Sequence, residues 1–248
     1  MNEEVILSLG ARLRLAGGPE RTKGMVLICP GGGYSWLSPR EADPVARAFQ
    51  AGGWSAAVLY YTVRSGADQP PLGDLPARQV AQAANWIRKK YPDERLVLCG
   101  FSAGGHLAAS YAARWSQLGG LRPDGLILGY PVITAGTYTH RGTMESLAGD
   151  RNPSAYGIEG QVTGQMPPVF LWHTVTDPEV PVQNSLLLAG ALSQAGVPYE
   201  LHLYPRGVHG LSLATPEVEE LEKSRFADEH IAGWFSLCLT WLDSLLTE

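Results

Sequence analysis

Cysteine is scarce in this chain, and the little present does not pair. Cys29, Cys99 and Cys238 are an odd number at wide spacings. No Cys-x-x-Cys occurs and two of the three lie in apolar runs, so they read as reduced interior residues rather than a disulfide framework. His-Glu-x-x-His is also missing, which leaves a structural zinc or a metalloprotease site without support; no metal is expected. Gly-x-Gly-x-x-Gly fails for want of glycine at Ser102. No Gly-Lys-Ser/Thr phosphate loop occurs either, so the common nucleotide signatures are absent.

Charge of one sign is never concentrated. The chain carries 19 Lys and Arg against 24 Asp and Glu, a net charge of −5, and no run of like charge could track a phosphate backbone, so nucleic acid is not an expected partner. The longest apolar runs, Gly125 to Val132 and Pro167 to His173, fall far short of the ~20 residues that span a bilayer. The start, MNEEVILSLGARLRLAGG, is acidic where a signal peptide needs a basic region, and the chain reads as cytoplasmic with no membrane segment. With 45% hydrophobic and 17% charged residues among 248, there is material for one buried core. At roughly 150 residues per domain, a single α/β domain over residues 1–248 fits.

What is there alternates. After a strand or hairpin around Val5 to Leu15 come the apolar runs MVLICP, SAAVLYY, RLVLCG, DGLILGYPV, PPVFLWH and YELHLY. Several are unbroken by polar residues, as strands buried on both faces should be. Helical patterns lie between them, over Glu41 to Ala51, Ala77 to Lys90, Gly104 to Trp115, Val182 to Ala195 and Ile231 to Leu246, with glycine or proline stops where helices should end. The alternation predicts an α/β fold with a mostly parallel central sheet covered by helices on both faces. Residues 134–166 break the rhythm. They are rich in Gly and Thr with no run suited to a core strand, and a connection this long reads as a substrate-site loop or small lid.

The most informative stretch is LCGFSAGGH, in which a strand runs through Gly100-Phe101-Ser102-Ala103-Gly104 straight into a helical sequence. Gly-x-Ser-x-Gly in that setting is a nucleophile elbow: the serine sits on a strained turn at the strand end, and side chains at the two glycines would collide with their surroundings. A serine hydroxyl needs a base and a carboxylate to orient that base. Asp177 follows the strand PPVFLWH and His209 follows YELHLY, so Ser, Asp and His come in that order, each after its own strand. Glu179 stands two residues from Asp177 as the alternative carboxylate; Asp124 and Asp150 are placed less well. His106 lies one helical turn beyond Ser102 and reads as structural. His173 is placed to support Asp177, and His140, in the long segment, to touch substrate.

The loop CPGGGY follows MVLICP directly. Its glycines leave backbone N–H groups uncovered, and an acyl-transfer intermediate needs such donors at its oxyanion. Gly32 and Gly33, with the N–H of Ala103 after the nucleophile, are assigned to that hole. Tyr34, Trp36 and Tyr61 lie near these motifs and are candidates to stack on a sugar or aryl acyl group, with core or rim packing as the alternative.

Taken together, CPGGGY with LSPREADPVA, CGFSAGGHLAAS, LILGYPVI, PPVFLWHTVTDPEVPVQNS and ELHLYPRGVHGL resemble the α/β-hydrolase superfamily of esterases and lipases. Within it the resemblance is to small bacterial acetylxylan esterases and related carbohydrate esterases, over nearly the whole chain. It implies an α/β-hydrolase fold, cofactor-independent ester hydrolysis with Ser102, Asp177 and His209 as triad, and a small-molecule or oligosaccharide ester as partner. It also implies deacetylation of acetylated sugars such as xylan, with feruloyl esters accepted by some relatives. Pro30 stands where the hormone-sensitive-lipase branch has the histidine of His-Gly-Gly-Gly, which argues against a lipase. Prolyl peptidases share the catalytic fold but add a propeller or amino-terminal domain, for which 248 residues leave no room. A binding protein that has kept the fold without catalysis is the alternative of another class.

Overall fold

The apolar runs become strands because a strand with no polar face must be covered on both sides. The computed structural model describes residues 3–16 and 22–246. The strands are β1 (Glu3–Ile6), β2 (Arg12–Ala16), β3 (Met25–Cys29), β4 (Ser55–Tyr60), β5 (Leu96–Phe101), β6 (Gly125–Gly129), β7 (Val169–Thr174) and β8 (Tyr199–Tyr204). They form one sheet in the order β1-β2-β4-β3-β5-β6-β7-β8. β2 pairs antiparallel with both its neighbours, and every pairing from β4 to β8 is parallel. Every residue of β3, β5, β6 and β7 is buried, whereas β2 alternates and the edge strand β8 is largely half-exposed.

The helices are α1 (Asp43–Ala51), α2 (Leu75–Lys90), α3 (Ala103–Arg114), α4 (Arg141–Ala148), α5 (Gln183–Gln194), α6 (Glu229–Ala232) and α7 (Trp234–Leu245). The two-residue period of the strands sorts their side chains into two cores. Leu27, Leu98, Leu126 and Leu171 meet Val80, Ala83, Leu107, Leu188 and Leu192 of α2, α3 and α5. Val26, Val97, Ile127 and Phe170 meet Val45, Phe49, Trp234 and Leu242 of α1 and α7. A parallel sheet covered on both faces is thus what the alternation predicted.

Three boundaries differ from the sequence reading. Glu41 belongs to a 3-10 turn, Pro39–Glu41, ahead of α1, and its side chain is buried. The carboxyl-terminal helix is two pieces meeting at Gly233, and it starts at Glu229 rather than Ile231 because Asp228 caps the Ile231 N–H at 3.0 Å. Residues 134–166 hold no strand, as expected, but they carry α4 and a 3-10 turn, Pro153–Tyr156. Met144, Leu147 and Ala148, at helical spacing, bury one side of α4. The N–H groups of Leu72 and Gly73 donate to the carbonyls of Ser146 and Leu147, tying the segment to the loop before α2.

In the central strands Cys29 stands opposite Gly100, and Phe101 opposite Gly129. Parallel strands in this register end together, which brings the glycine loop after β3, the turn after β5 and the loop after β6 to one rim of the sheet.

Candidate active site

At the end of β5 the chain turns into α3 through Ser102, whose backbone lies at φ 53°, ψ −121°. A non-glycine residue in that region is strained and persists only where the surroundings enforce it. Here Ser102 N–H donates to the Gly129 carbonyl, and the Ser102 carbonyl accepts from His106 and Val132. The flanking glycines are sterically obligatory. A Cβ on Gly100 would stand 2.3 Å from the Gly104 carbonyl oxygen, and one on Gly104 would stand 2.0 Å from that of Cys29. Helix and strand can approach closely enough to lift the serine to the rim only without those atoms.

Beyond β8, the loop at 205–213 carries His209 back over the sheet, and its Nε2 lies 2.8 Å from Ser102 Oγ. Its Nδ1 lies 2.7 Å from Asp177 Oδ2, from the turn after β7. These partners assign the proton to Nδ1, leaving Nε2 to accept from the hydroxyl. Asp177 Oδ1 accepts the N–H groups of Glu179 and Val180, both at 2.9 Å. Asp177, not Glu179, therefore meets the histidine; Glu179 lines the cleft beside it. His173, fully buried, accepts from Ser185 Oγ at Nδ1 and donates from Nε2 to the Val180 carbonyl, with Asp177 Oδ2 3.5 Å away. Burial works against ionisation of Asp177, but the bonds from His173, His209 and the Val180 N–H outweigh it and hold the carboxyl below the usual range.

The glycine loop is folded by its own carbonyls. Gly31 C=O accepts from Ser38 N–H, and Gly32 C=O accepts from the N–H groups of Ser35 and Trp36. Gly32 and Gly33 take φ of +127° and +64°, and a Cβ on Gly32 would fall 2.2 Å from the Trp36 carbonyl oxygen. Among the described residues no protein acceptor takes the N–H of Gly32, Gly33 or Ala103. Gly32, Gly33, Ser102 and His209 border one cleft of about 180 Å³, together with Trp36, His140, Glu179 and Arg225. Such an arrangement can pass a proton from Ser102 to His209 and present free N–H donors to an oxygen developing negative charge.

The four candidate substrate contacts divide. Trp36, 44% exposed with Lys223 Nζ 5.4 Å from its ring centre, and His140 both line the cleft. Tyr34 and Tyr61 face inward, 1% and 3% exposed. Tyr61 Oη donates to the Pro30 carbonyl at 2.5 Å, and Tyr34 Oη lies 3.0 Å from His106 Nδ1. Both rings hold the glycine loop from behind and offer no face to a ligand, which corrects that expectation for these two. His106, as expected, is structural: its Nε2 lies 2.8 Å from the Tyr156 carbonyl, and burial brings its pKa down to about 4.

Sequence reasoning passed over Glu41, Tyr130 and Arg225. Arg225, 8% exposed, donates from Nε to the His209 carbonyl at 2.8 Å and from Nη1 to Glu220 at 2.6 Å, bracing the histidine loop. Tyr130 lays its ring edge-on to the His209 ring, centres 5.0 Å apart. The phrase SPREADP was the available signal for Glu41, but nothing in it says that the carboxylate turns inward.

Comparison with known proteins agrees with this geometry. Residues 71–234, 164 of the 248, match the model of the prolyl oligopeptidase family. Endo-1,4-beta-xylanase B of Butyrivibrio fibrisolvens is 36% identical over 228 residues, 84% of this chain and 34% of that protein. An acetylxylan esterase of Xylanibacter ruminicola is 29% identical over 217 residues, 79% of this chain and 43% of that protein. The chain thus spans less than half the length of these two curated relatives. The crystal structure of an acetyl ester-xyloside bifunctional hydrolase from Caldicellulosiruptor lactoaceticus superposes with a TM-score of 0.81 at 32% identity, covering 95% of this chain and 88% of that one. Fold and sequence converge: this chain belongs to the prolyl oligopeptidase family of α/β hydrolases.

Proposed function

We propose that this protein hydrolyses short acyl esters, acetyl esters of carbohydrate foremost, through an acyl enzyme on Ser102. The observation that carries the reading is the continuous chain Asp177–His209–Ser102, at 2.7 and 2.8 Å, beside the free N–H groups of Gly32, Gly33 and Ala103. His209 takes the Ser102 proton as Oγ attacks the ester carbonyl, and the tetrahedral oxyanion rests on those N–H groups. The intermediate collapses, and the alcohol leaves with the proton from His209. Water repeats the sequence on the acyl enzyme and releases the acid.

The cleft supports a small acyl group. Its 180 Å³ lies below the roughly 300–1,000 Å³ of sites for drug-sized ligands. Its walls are mainly polar, with Ser35, Ser38, His140, Glu179 and Arg225, which disfavours a long alkyl chain. A second cleft of about 290 Å³ adjoins it across Gly33, Ser35 and His140 and is bordered by Ser65, Glu145 and Ser146. Hydroxyls and a carboxylate there suit a polyhydroxylated leaving group. The names of the xylanase, acetylxylan esterase and xyloside-hydrolase relatives point the same way.

The test is acetate release from acetylated xylo-oligosaccharides by wild type and Ser102→Ala, with an aryl acetate and a prolyl anilide alongside. Release from the oligosaccharide that vanishes in the variant is expected. Cleavage of the aryl acetate alone would refute the carbohydrate assignment, and anilide hydrolysis at a comparable rate would turn the reading to a peptidase.

A further inference from the structure

Glu41 is a buried carboxylate with no part in the triad chemistry. It is 3% exposed, borders the cleft, and makes no hydrogen bond to Ser102 or His209. Its Oε2 accepts the Gly31 N–H at 2.7 Å, and its Oε1 accepts the Tyr130 hydroxyl at 2.6 Å. The first bond anchors the peptide just before Gly32 and Gly33. The second fixes the ring whose edge rests on His209. The Tyr130 oxygen in turn accepts the Ser212 N–H at 2.8 Å, three residues beyond His209, and Ser212 Oγ donates to the carbonyl of Arg40, the residue before Glu41.

The network closes on itself, and two of its members are strained. Tyr130 and Ser212 hold φ of 36° and 55°, a region that non-glycine residues occupy only when several contacts impose it. A carboxylate supplies two acceptors of the same kind at fixed separation, and here they take donors from the loop after β3 and the loop after β6. We propose that Glu41 is a positioning residue for ester hydrolysis, holding the oxyanion loop through Gly31 and the His209 loop through Tyr130 in one geometry. The proposal rests on the ester-hydrolase reading and deepens it.

The consequence is specific. Glutamine at this position can still accept from Gly31 N–H while its amide donates to the Tyr130 oxygen, leaving only the Tyr130 proton without its acceptor, so E41Q keeps most of the frame; E41A removes the bond to each loop. Aligned N–H donors matter in the transition state more than in the ground state, so the loss belongs in kcat rather than KM. On an aryl acetate, E41A is expected to lose about a hundredfold or more in kcat, the scale of a displaced oxyanion donor, with KM within about threefold. E41Q is expected to stay within about tenfold of wild type. Y130F severs the Tyr130 arm and also removes the acceptor of the Ser212 N–H, so it should lower kcat, and its effect should combine with that of E41A less than multiplicatively.

Melting temperatures measured beside the kinetics separate positioning from stability. Unchanged kcat in a folded E41A overturns the proposal, as does an equal loss in E41A and E41Q that merely follows their melting temperatures. If E41A does not fold, Y130F carries the test: reduced kcat at unchanged KM supports the proposal, and wild-type kcat overturns it. An aryl acetate left untouched by wild type overturns the ester-hydrolase reading and this proposal together, whereas an active wild type with indifferent variants overturns the proposal alone.

Discussion

Acidification should loosen this fold through His106 before it reaches the carboxylates. The imidazole is 2% exposed and held between the Tyr156 carbonyl, which can only accept, at Nε2 and the Tyr34 hydroxyl at Nδ1. The neutral ring satisfies both, donating to the carbonyl and accepting from the phenol. Burial lowers its pKa from 6.5 to about 4, only partly countered by the Tyr156 carbonyl. The unfolded chain therefore binds a proton that the folded chain refuses between those two values, and stability falls as pH falls through that window. The full interval of about 2.5 units, at 1.36 kcal/mol each, sets a ceiling near 3.4 kcal/mol, of which about 2 kcal/mol is lost by pH 5 and about 3 kcal/mol by pH 4. Urea unfolding of wild type and His106→Asn at pH 8, 6 and 5 reads this directly. The variant starts less stable, so the quantity of interest is the difference in slope. Wild type should lose about 2 kcal/mol more than the variant between pH 8 and pH 5. Parallel slopes would refute the coupling, since they would mean that the buried ring is protonated as readily as a solvated one.

The active site carries two further expected outcomes. Asp177→Asn should reduce kcat by about ten thousandfold with little change in KM, because an amide can impose the wrong imidazole tautomer on His209; steady-state kinetics on an aryl acetate decide, and a loss under tenfold would reassign the orienting carboxylate. Gly104→Ala places a methyl 2.0 Å from the Cys29 carbonyl oxygen and 2.4 Å from that of Pro30. Because backbone rather than a flexible side chain blocks it, soluble protein should be lost or the melting temperature should drop sharply; a wild-type melt with full activity would contradict the close approach of helix and strand.

The parts of the fold and site legible in the sequence are those written in consecutive residues. β3, β5, β6 and β7 are unbroken apolar runs because both faces are covered, and Ser102, Asp177 and His209 each follow a strand closely. Glu41 was illegible for a corresponding reason. An acidic residue at the start of an amphipathic helix reads as solvated, and its burial is decided by donors 10 and 89 positions away. Tyr34 and Tyr61 failed as ligand contacts because an aromatic beside a motif carries no sign of which way it faces. Here the Pro30 carbonyl and the His106 ring decide it. α4 was missed because three apolar residues among Gly, Thr and Ser carry too little periodicity to outweigh the composition around them.

The division of labour along the sheet rim bears on how such a protein diversifies. Ser102, Asp177 and His209 follow β5, β7 and β8, while Trp36 and His140 in the cleft walls come from the stretches after β3 and β6. Neither the Trp36 nor the His140 side chain hydrogen-bonds to Ser102, Asp177 or His209, whereas Val132 and Tyr130 in the same second stretch touch Ser102 and His209 directly. Lineages sharing this scaffold can thereby exchange ligands by rewriting those two side chains while the frame around them is inherited, and a designer seeking new selectivity has the same two positions to vary.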